Sequence, residues 1–355
     1  MSFISDTSPL LPQRSSPSKI TILGAGSWGL TLSFIAGALH GCDASVKVTL
    51  WDRTPSKLAA FEEQQRSIQK PIALQLQPHI ILESDLTQAV ADTDILIFVV
   101  TSKATREVAL AVQATGQLKP DCVLVNASKG IEYPSLKPMS RVLKEIFPSN
   151  PVAVLSGPTL AQEIVEGKPT ACTVASDSLA ISQWLQTYLS CSSLFRLYTH
   201  TDMLGVELAG ALKNVFAIAS GFMVSKNLGD NARAALLTRG LAEMARFCIH
   251  LGAEDSTLYG LSGLGDLLAT CNSPLSRNYQ VGYRLGQGEQ LPSILASMGQ
   301  VAEGVHTVNA VVTLAESKGI DMPIASLVKS VIDGKLVDAP HMIAVLMNRK
   351  LKQES

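Results

Sequence analysis

The sequence is poor in the features that mark out special classes of protein. Of its 355 residues only 5% are aromatic and 17% charged, and the charges nearly cancel, leaving a net −1. So balanced a charge leaves no electrostatic footprint for a nucleic acid or another polyanion. Long apolar runs are missing too. The longest, about Ile95–Val100, is far short of the roughly 20 residues of a membrane-spanning helix. The six cysteines, Cys42, Cys122, Cys172, Cys191, Cys248 and Cys271, form no C-x-x-C pair and stand at no zinc-like spacing to histidine, so no metal site is expected. They read as buried free thiols of a reducing compartment, which makes the expected location cytoplasmic.

What is present is a large apolar fraction, 46%, which argues against disorder and provides for sizeable cores. The length predicts about two domains. Residues 1–18, "MSFISDTSPLLPQRSSPS", are rich in Ser and Pro and lack the basic and apolar regions of a signal peptide; they read as a disordered tail. From Lys19 short β-like runs alternate with helical stretches: "KITIL", "VKVTLW", "DILIFVV", "CVLVNAS" and "PVAVLSGP". Runs of this kind, bounded by Gly, Pro and Asp, predict a parallel sheet in a doubly wound α/β domain over 19–196, with "TACTVAS" and "LFRLYTH" as edge strands. After Thr201 the texture changes. Gly205–Val224 and Ala232–Gly252 are long, helix-forming and studded with small residues, so 197–355 is expected to be a compact, mostly α-helical domain.

The first strand runs into "GAGSWG", where Gly24, Gly26 and Gly29 stand in G-x-G-x-x-G spacing and a helix follows. In that context Gly24 permits a tight turn, Gly26 lets the backbone approach a pyrophosphate, and Gly29 lets the helix pack on the sheet. The helix N-terminus then faces the phosphates, with Ser27 and Trp28 inside the turn. The second strand ends in "LWDRTP". Asp52 is placed to accept from a ribose 2′-hydroxyl, which favours NAD, while Arg53 can pair with a 2′-phosphate, which favours NADP. The two residues pull in opposite directions.

Between Gly205 and Val224 only Glu207 and Lys213 are charged. Lys213 has apolar or small neighbours on nearly every helical face, and burial would lower its pKa towards that of a proton donor and acceptor near neutrality. The alternative is a lysine that snorkels to the surface or bridges to the other domain. Downstream, Asp266 and Thr270 share one face if "GDLLATC" is helical. "SRN", Ser276 to Asn278, offers a hydroxyl, a guanidinium and an amide, either as an anion receptor or as a helix cap beside a surface arginine.

The motifs "GAGSWG", "ASKG", "SGPTLAQE", "GALKNVFAIASG", "ARAALLTRGLAEM", "GLSGLGDLLATC", "SRN" and "GQVAEG" occur in that order. With them the chain resembles the bacterial-type NAD(P)-dependent glycerol-3-phosphate dehydrogenases from about Lys19 to about Gly334. The resemblance implies a Rossmann-like domain, NAD or NADP as cofactor, a homodimer, and a role in supplying glycerol phosphate for phospholipids. It makes Lys213 the general acid/base, assisted by Lys129 and Asp266. It places Lys129, Gly157, Thr159, Asp266 and Thr270 around the substrate, and Ser276, Arg277 and Asn278 at its phosphate. For the cofactor it implies Ser27, Trp28, Arg53, Lys129, Ala161, Arg277, Val301 and Glu303. One departure is "VVTSKAT", which lacks the family's usual Pro before Ser and leaves Lys103 with no assigned role.

Overall fold

The computed structural model describes residues 14–40, 46–69, 72–191, 193–298, 301–335 and 347–348. The apolar runs become β1 (Lys19–Leu23), β2 (Lys47–Trp51), β3 (Ser67–Ile68), β4 (Leu74–Gln75), β5 (Ile81–Glu83), β6 (Ile95–Phe98), β7 (Val123–Asn126), β8 (Val152–Ser156), β9 (Thr170–Ser176) and β10 (Phe195–His200). β3 and β4 pair with each other, and the other eight form one sheet in the order β10-β9-β8-β7-β6-β1-β2-β5. Neighbours run parallel except β8 and β9, which are antiparallel. "TACTVAS" is therefore not an edge strand, because β10 lies outside it. The other edge, β5, escaped the sequence reading. It is three residues long with Ile81 43% exposed, so it carries neither a long apolar run nor a clean alternation.

A sheet covered on both faces needs strands that are apolar throughout, and β6 and β8 are buried at every position. Successive side chains leave for opposite faces. Ile20, Ile22, Ile95 and Ile97 join Leu30 and Ile35 of the Ser27–His40 helix in one core. Leu23, Leu96, Phe98 and Leu124 join Val108, Val112, Val142 and Leu143 in the other. The chain leaves β1 for β2 on one side and returns to β6 on the other, so a crevice opens at the carboxyl ends of β1 and β6, the usual ligand position in such sheets.

Arg14–Ser18, expected as the end of the disordered tail, lies against this layer. Arg14 donates to Asp121 O at 2.7 Å, Trp184 Nε1 donates to Ser15 O at 3.1 Å, and Ser18 N–H donates to Asp94 Oδ2 at 2.6 Å. Residues 1–13 and Cys42 lie outside the described residues.

The helical layer is built around Met203–Ser225. Among the described residues this is the one helix long and apolar enough to cross a membrane, yet 78% of its most apolar window is buried inside the protein. The small residues do what was expected of them. A Cβ on Gly282 would fall 1.8 Å from Ile218 O, and one on Gly221 would fall 2.0 Å from Tyr279 O, so the Arg277–Gly286 helix crosses the central helix backbone to backbone. Leu212, Phe216, Phe247, Val281, Val308 and Val328 form the core of this layer.

Candidate active site

The glycine loop leaves β1 at the crevice. Gly24 has φ +114°, and a Cβ on Gly29 would lie 1.8 Å from Gly24 O, so both glycines are obligatory for the turn itself. Gly26 differs: nothing lies within 4 Å of where its Cβ would be. The loop thus presents bare backbone to open space at the start of a helix with no acidic residue in its first turn. Beside it the Trp28 indole N–H is buried with no partner among the described residues. An exposed backbone nest, a positive dipole end and an orphaned donor fit a dinucleotide phosphate.

Asp52 and Arg53 take different places. Asp52 is 9% exposed; its Oδ2 accepts from Ala25 N–H at 3.0 Å and Lys57 Nζ at 2.7 Å, and its Oδ1 from Thr54 N–H at 3.1 Å. Burial works against its charge, but Lys57 and the two backbone donors outweigh it and hold the carboxyl below its ordinary pKa. The carboxylate therefore ties the glycine loop to the end of β2. The Arg53 side chain is 68% exposed, with Glu107 at 3.6 Å.

At the other end of the crevice four elements bring charged groups together. Lys129 follows β7, Gly157 and Thr159 follow β8, Lys213 lies mid-way along the central helix, and Asp266 and Thr270 belong to the Asp266–Cys271 helix. A π-helical turn, Leu261–Gly265, leads into that last helix. Asp266, 1% exposed, bridges both lysines: Lys213 Nζ donates to Oδ1 at 2.7 Å and Lys129 Nζ to Oδ2 at 2.6 Å. Lys213 Nζ also donates to Thr270 Oγ1 at 2.6 Å, and that hydroxyl lies 3.1 Å from Asp266 Oδ1, as an (i, i+4) pair can. Lys129 Nζ reaches Gly157 O at 2.8 Å and Thr159 Oγ1 at 3.4 Å.

Lys213 does not snorkel, since it is 7% exposed. Burial lowers its pKa from 10.5 to about 8, with Asp266 opposing the shift and Lys129 adding to it.

"SRN" starts the Arg277–Gly286 helix. Ser276 is the cap: its Oγ accepts from Tyr279 N–H at 3.3 Å. The Asn278 side chain is committed elsewhere, with Nδ2 donating to Asn214 Oδ1 at 2.8 Å and Oδ1 accepting from Gly304 N–H at 2.9 Å. What Asn278 can offer an anion is its backbone N–H in the first helical turn and the second N–H of its Nδ2. Arg277 makes no ion pair with a described residue. Crowding by protein lowers its pKa against the pull of Glu303, yet water reaches the side chain, as for a group lining a cleft.

Glu303 opens the Glu303–Lys318 helix and crosses back to the sheet layer. Its Oε2 accepts from Ser102 Oγ at 2.7 Å and its Oε1 from Ser102 N–H at 3.2 Å. Burial raises its pKa, opposed by Ser102, Arg277 and Lys103. Lys103, the residue without a role, thus faces Glu303 and also helps lower the pKa of the partly buried His306. Val301 is 41% exposed, and Ala161 begins a short helix, Ala161–Val165, after β8. Asn126, Ser102 and Gly304 were missed as site-building residues. Their partners stand as far as 201 positions away in sequence, and no local pattern announces them.

The family described as "NAD-dependent glycerol-3-phosphate dehydrogenase N-terminus" matches residues 19–182, and the one described as its C-terminus matches 202–340. The chain is 42% identical over 340 residues to a glycerol-3-phosphate dehydrogenase (NAD(P)+) of Acaryochloris marina, covering 96% of this chain and 98% of that protein. It is 43% identical over 339 residues to one from a Synechococcus species, with 96% and 98% covered. Among solved structures, glycerol-3-phosphate dehydrogenase from Coxiella burnetii superposes with a TM-score of 0.86 at 32% identity, covering 94% of this chain and 99% of that one. Family matches over both halves of the chain and relatives above 40% identity over nearly its whole length show that the chain belongs to the NAD-dependent glycerol-3-phosphate dehydrogenase family.

Proposed function

We propose that Lys213 is the proton-transfer group for the interconversion of sn-glycerol 3-phosphate and dihydroxyacetone phosphate, with Asp266, Thr270 and Lys129 setting its charge and position. The observation that carries this is a single buried ammonium, held at 2.7 Å by a carboxylate and 2.6 Å by a hydroxyl, with a pKa lowered to about 8. Near neutrality both protonation states are within reach. In the oxidation, the neutral Lys213 amine accepts the proton of the 2-hydroxyl; in the reduction, the ammonium polarises the carbonyl and returns it. NAD(P), when bound, supplies the hydride chemistry at the same carbon.

Lys129 Nζ adds a second cation beside the reacting oxygen and steadies the charge developing there. Asp266 keeps Lys213 oriented. Arg277, with the first-turn N–H groups of its helix, is the receptor for the substrate phosphate, and Gly157 and Thr159 complete the substrate wall. The glycine loop with Ser27, Trp28, Asp52, Arg53, Ala161, Arg277, Val301 and Glu303 would hold the cofactor; its open backbone at Gly26 supports that fit.

The reading includes a cofactor unit and a catalytic unit, expected over 19–196 and 197–355; because β10 (Phe195–His200) belongs to the sheet and Leu197 to its core, we place the boundary after His200. It extends to a cytoplasmic homodimer that supplies glycerol phosphate for phospholipids. Cys122, Cys172, Cys191, Cys248 and Cys271 are all free thiols, in keeping with a reducing compartment.

The test is oxidation of NADH and NADPH in the presence of dihydroxyacetone phosphate, with wild type and Lys213→Ala. Removing a general acid/base lowers kcat by roughly 10²–10⁴-fold. Turnover of the variant within about threefold of wild type would make Lys213 a structural lysine.

A further inference from the structure

Glu207 is a fully buried carboxylate, 2% exposed, that the chemistry above does not use. It lies on the central helix, six residues before Lys213, about 9 Å along the axis at 1.5 Å per residue. Its carboxylate gathers donors from two other elements. Oε1 accepts from Asn126 Nδ2 at 2.9 Å and from Ser140 N–H at 2.9 Å, and Oε2 pairs with Ser140 Oγ at 2.5 Å. The bonds from Ser140 cap the Met139–Ile146 helix, which alone would make Glu207 a structural residue.

The bond from Asn126 does something else. Asn126 is the last residue of β7, and its amide is fixed at both ends by the backbone just before Lys129: Nδ2 donates to Ser128 O at 3.0 Å, and Oδ1 accepts from Ser128 N–H at 3.1 Å. Ser128 Oγ in turn donates to Val100 O at 2.5 Å, pinning the same segment to the loop after β6. An Asn that clasps the peptide groups of Ser128 has one N–H left, and Glu207 takes it. The next residue is Lys129, whose ammonium reaches Asp266.

We propose that Glu207 is a positioning residue for Lys129: through Asn126 and Ser128 it fixes the loop that carries Lys129 to the helix that carries Lys213. One rigid element then sets both lysines against Asp266, directly in one case and through three residues in the other. Buried polar chains that are fully satisfied fix geometry in this way. The contacts explain why burial can push the Glu207 carboxyl up to about 7 without disrupting the site. A protonated Oε2 still pairs with Ser140 Oγ, because a hydroxyl can accept as well as donate, while Oε1 keeps its two donors. For the same reason Glu207→Gln keeps the bonds with Asn126 and Ser140, and Glu207→Ala strands both.

The inference rests on the proposed role of Lys129, and a double-mutant cycle separates the two. The variants are Glu207→Ala, Glu207→Gln, Lys129→Ala and Glu207→Ala with Lys129→Ala; kcat, cofactor Kd by fluorescence titration and Tm are measured for each. Displacing a catalytic group by about 1 Å can cost on the order of 10²-fold in rate. Glu207→Ala should therefore lower kcat by about ten- to a hundredfold with cofactor Kd unchanged, and Glu207→Gln should stay within about threefold of wild type. In the Lys129→Ala background, Glu207→Ala should cost little further kcat while lowering Tm as before. Should Glu207→Ala prevent folding, Asn126→Ala tests the same link: it removes the donor to Glu207 and the clasp on Ser128 without adding a charge beside the carboxylate, and its kcat loss should likewise vanish in the Lys129→Ala background. Losses of kcat that simply multiply would overturn the proposal and leave Glu207 a helix cap. Wild-type kcat in Lys129→Ala would overturn the role of Lys129 itself, and this inference with it.

Discussion

The strongest test of the site is Asp266→Asn, because one carboxylate holds two ammonium groups there, at 2.7 and 2.6 Å, with 1% of its side chain exposed. Asparagine fills the same space but carries no charge and must turn an N–H₂ group towards one of the lysines. An opposite charge at this range moves a pKa by about 1–3 units, and Asp266 raises that of Lys213. Without it, Lys213 should fall from about 8 to roughly 5–7. At pH 7.5 the ammonium share then drops from about three-quarters to a quarter or less. Reduction of dihydroxyacetone phosphate needs the ammonium, so its kcat/KM should lose activity on the alkaline side first, with the limb displaced downward by the same roughly 1–3 units. Oxidation of glycerol 3-phosphate needs the free amine, so its rise with pH should begin correspondingly lower. Release of Lys129 would depress both directions at every pH, but it cannot move the limb. The assay is kcat/KM against pH in both directions, with a thermal melt to show that the variant is folded. A folded variant whose alkaline limb stays within about 0.3 unit of wild type would refute the assignment of that limb to Lys213.

Gly26→Ala places its methyl group in open space, so Tm should hold while cofactor KM rises at least about tenfold, roughly 1.4 kcal/mol; Gly29→Ala drives a Cβ into Gly24 O and should abolish soluble, folded protein. If Gly26→Ala leaves KM unchanged, the loop does not touch the cofactor. Arg277→Ala should lower kcat/KM for dihydroxyacetone phosphate by about ten- to a hundredfold, given about 1.5–3 kcal/mol for a hydrogen bond to a charged group. The same change should cost little with unphosphorylated dihydroxyacetone, and equal losses with NADH binding intact would remove it as the phosphate anchor. Asp52→Ala should weaken NADH and NADPH together, because the carboxylate holds the loop, whereas Arg53→Ala should weaken NADPH selectively. A selective loss of NADH in Asp52→Ala would mean instead that Asp52 reads the ribose.

On the proposed assignment, the net charge of the bridge favours an anionic substrate. With both lysines protonated, Lys129, Asp266 and Lys213 carry one positive charge in excess in a largely buried place. Buried charge without a partner is unfavourable. On the proposed assignment an anionic substrate answers it, with its polarised oxygen towards the lysines and its phosphate towards the water-accessible Arg277. Deprotonating Lys213 removes the excess on the bridge, which makes the neutral amine reachable at all in so buried a place.

What the sequence reveals follows from where its information lies. Strands covered on both faces announce themselves as unbroken apolar runs, and so β6, β7 and β8 were legible; β5, half exposed and three residues long, had no such run to show. A lysine in the middle of an apolar helix is conspicuous anywhere, and Lys213 is where it was expected. Its state was not legible, because that depends on Asp266, which arrives from 53 residues away. The same limit hid what Asn278 and Asp52 do within the fold. Each has the right chemistry at the right address, and each spends side-chain atoms on holding the site together: Asn278 on Asn214 and Gly304, Asp52 on Ala25 and Lys57. A motif records which groups the crevice contains. Whether a given group faces the ligand or its neighbours is decided by hydrogen bonds between elements, and those are made only once the chain has folded.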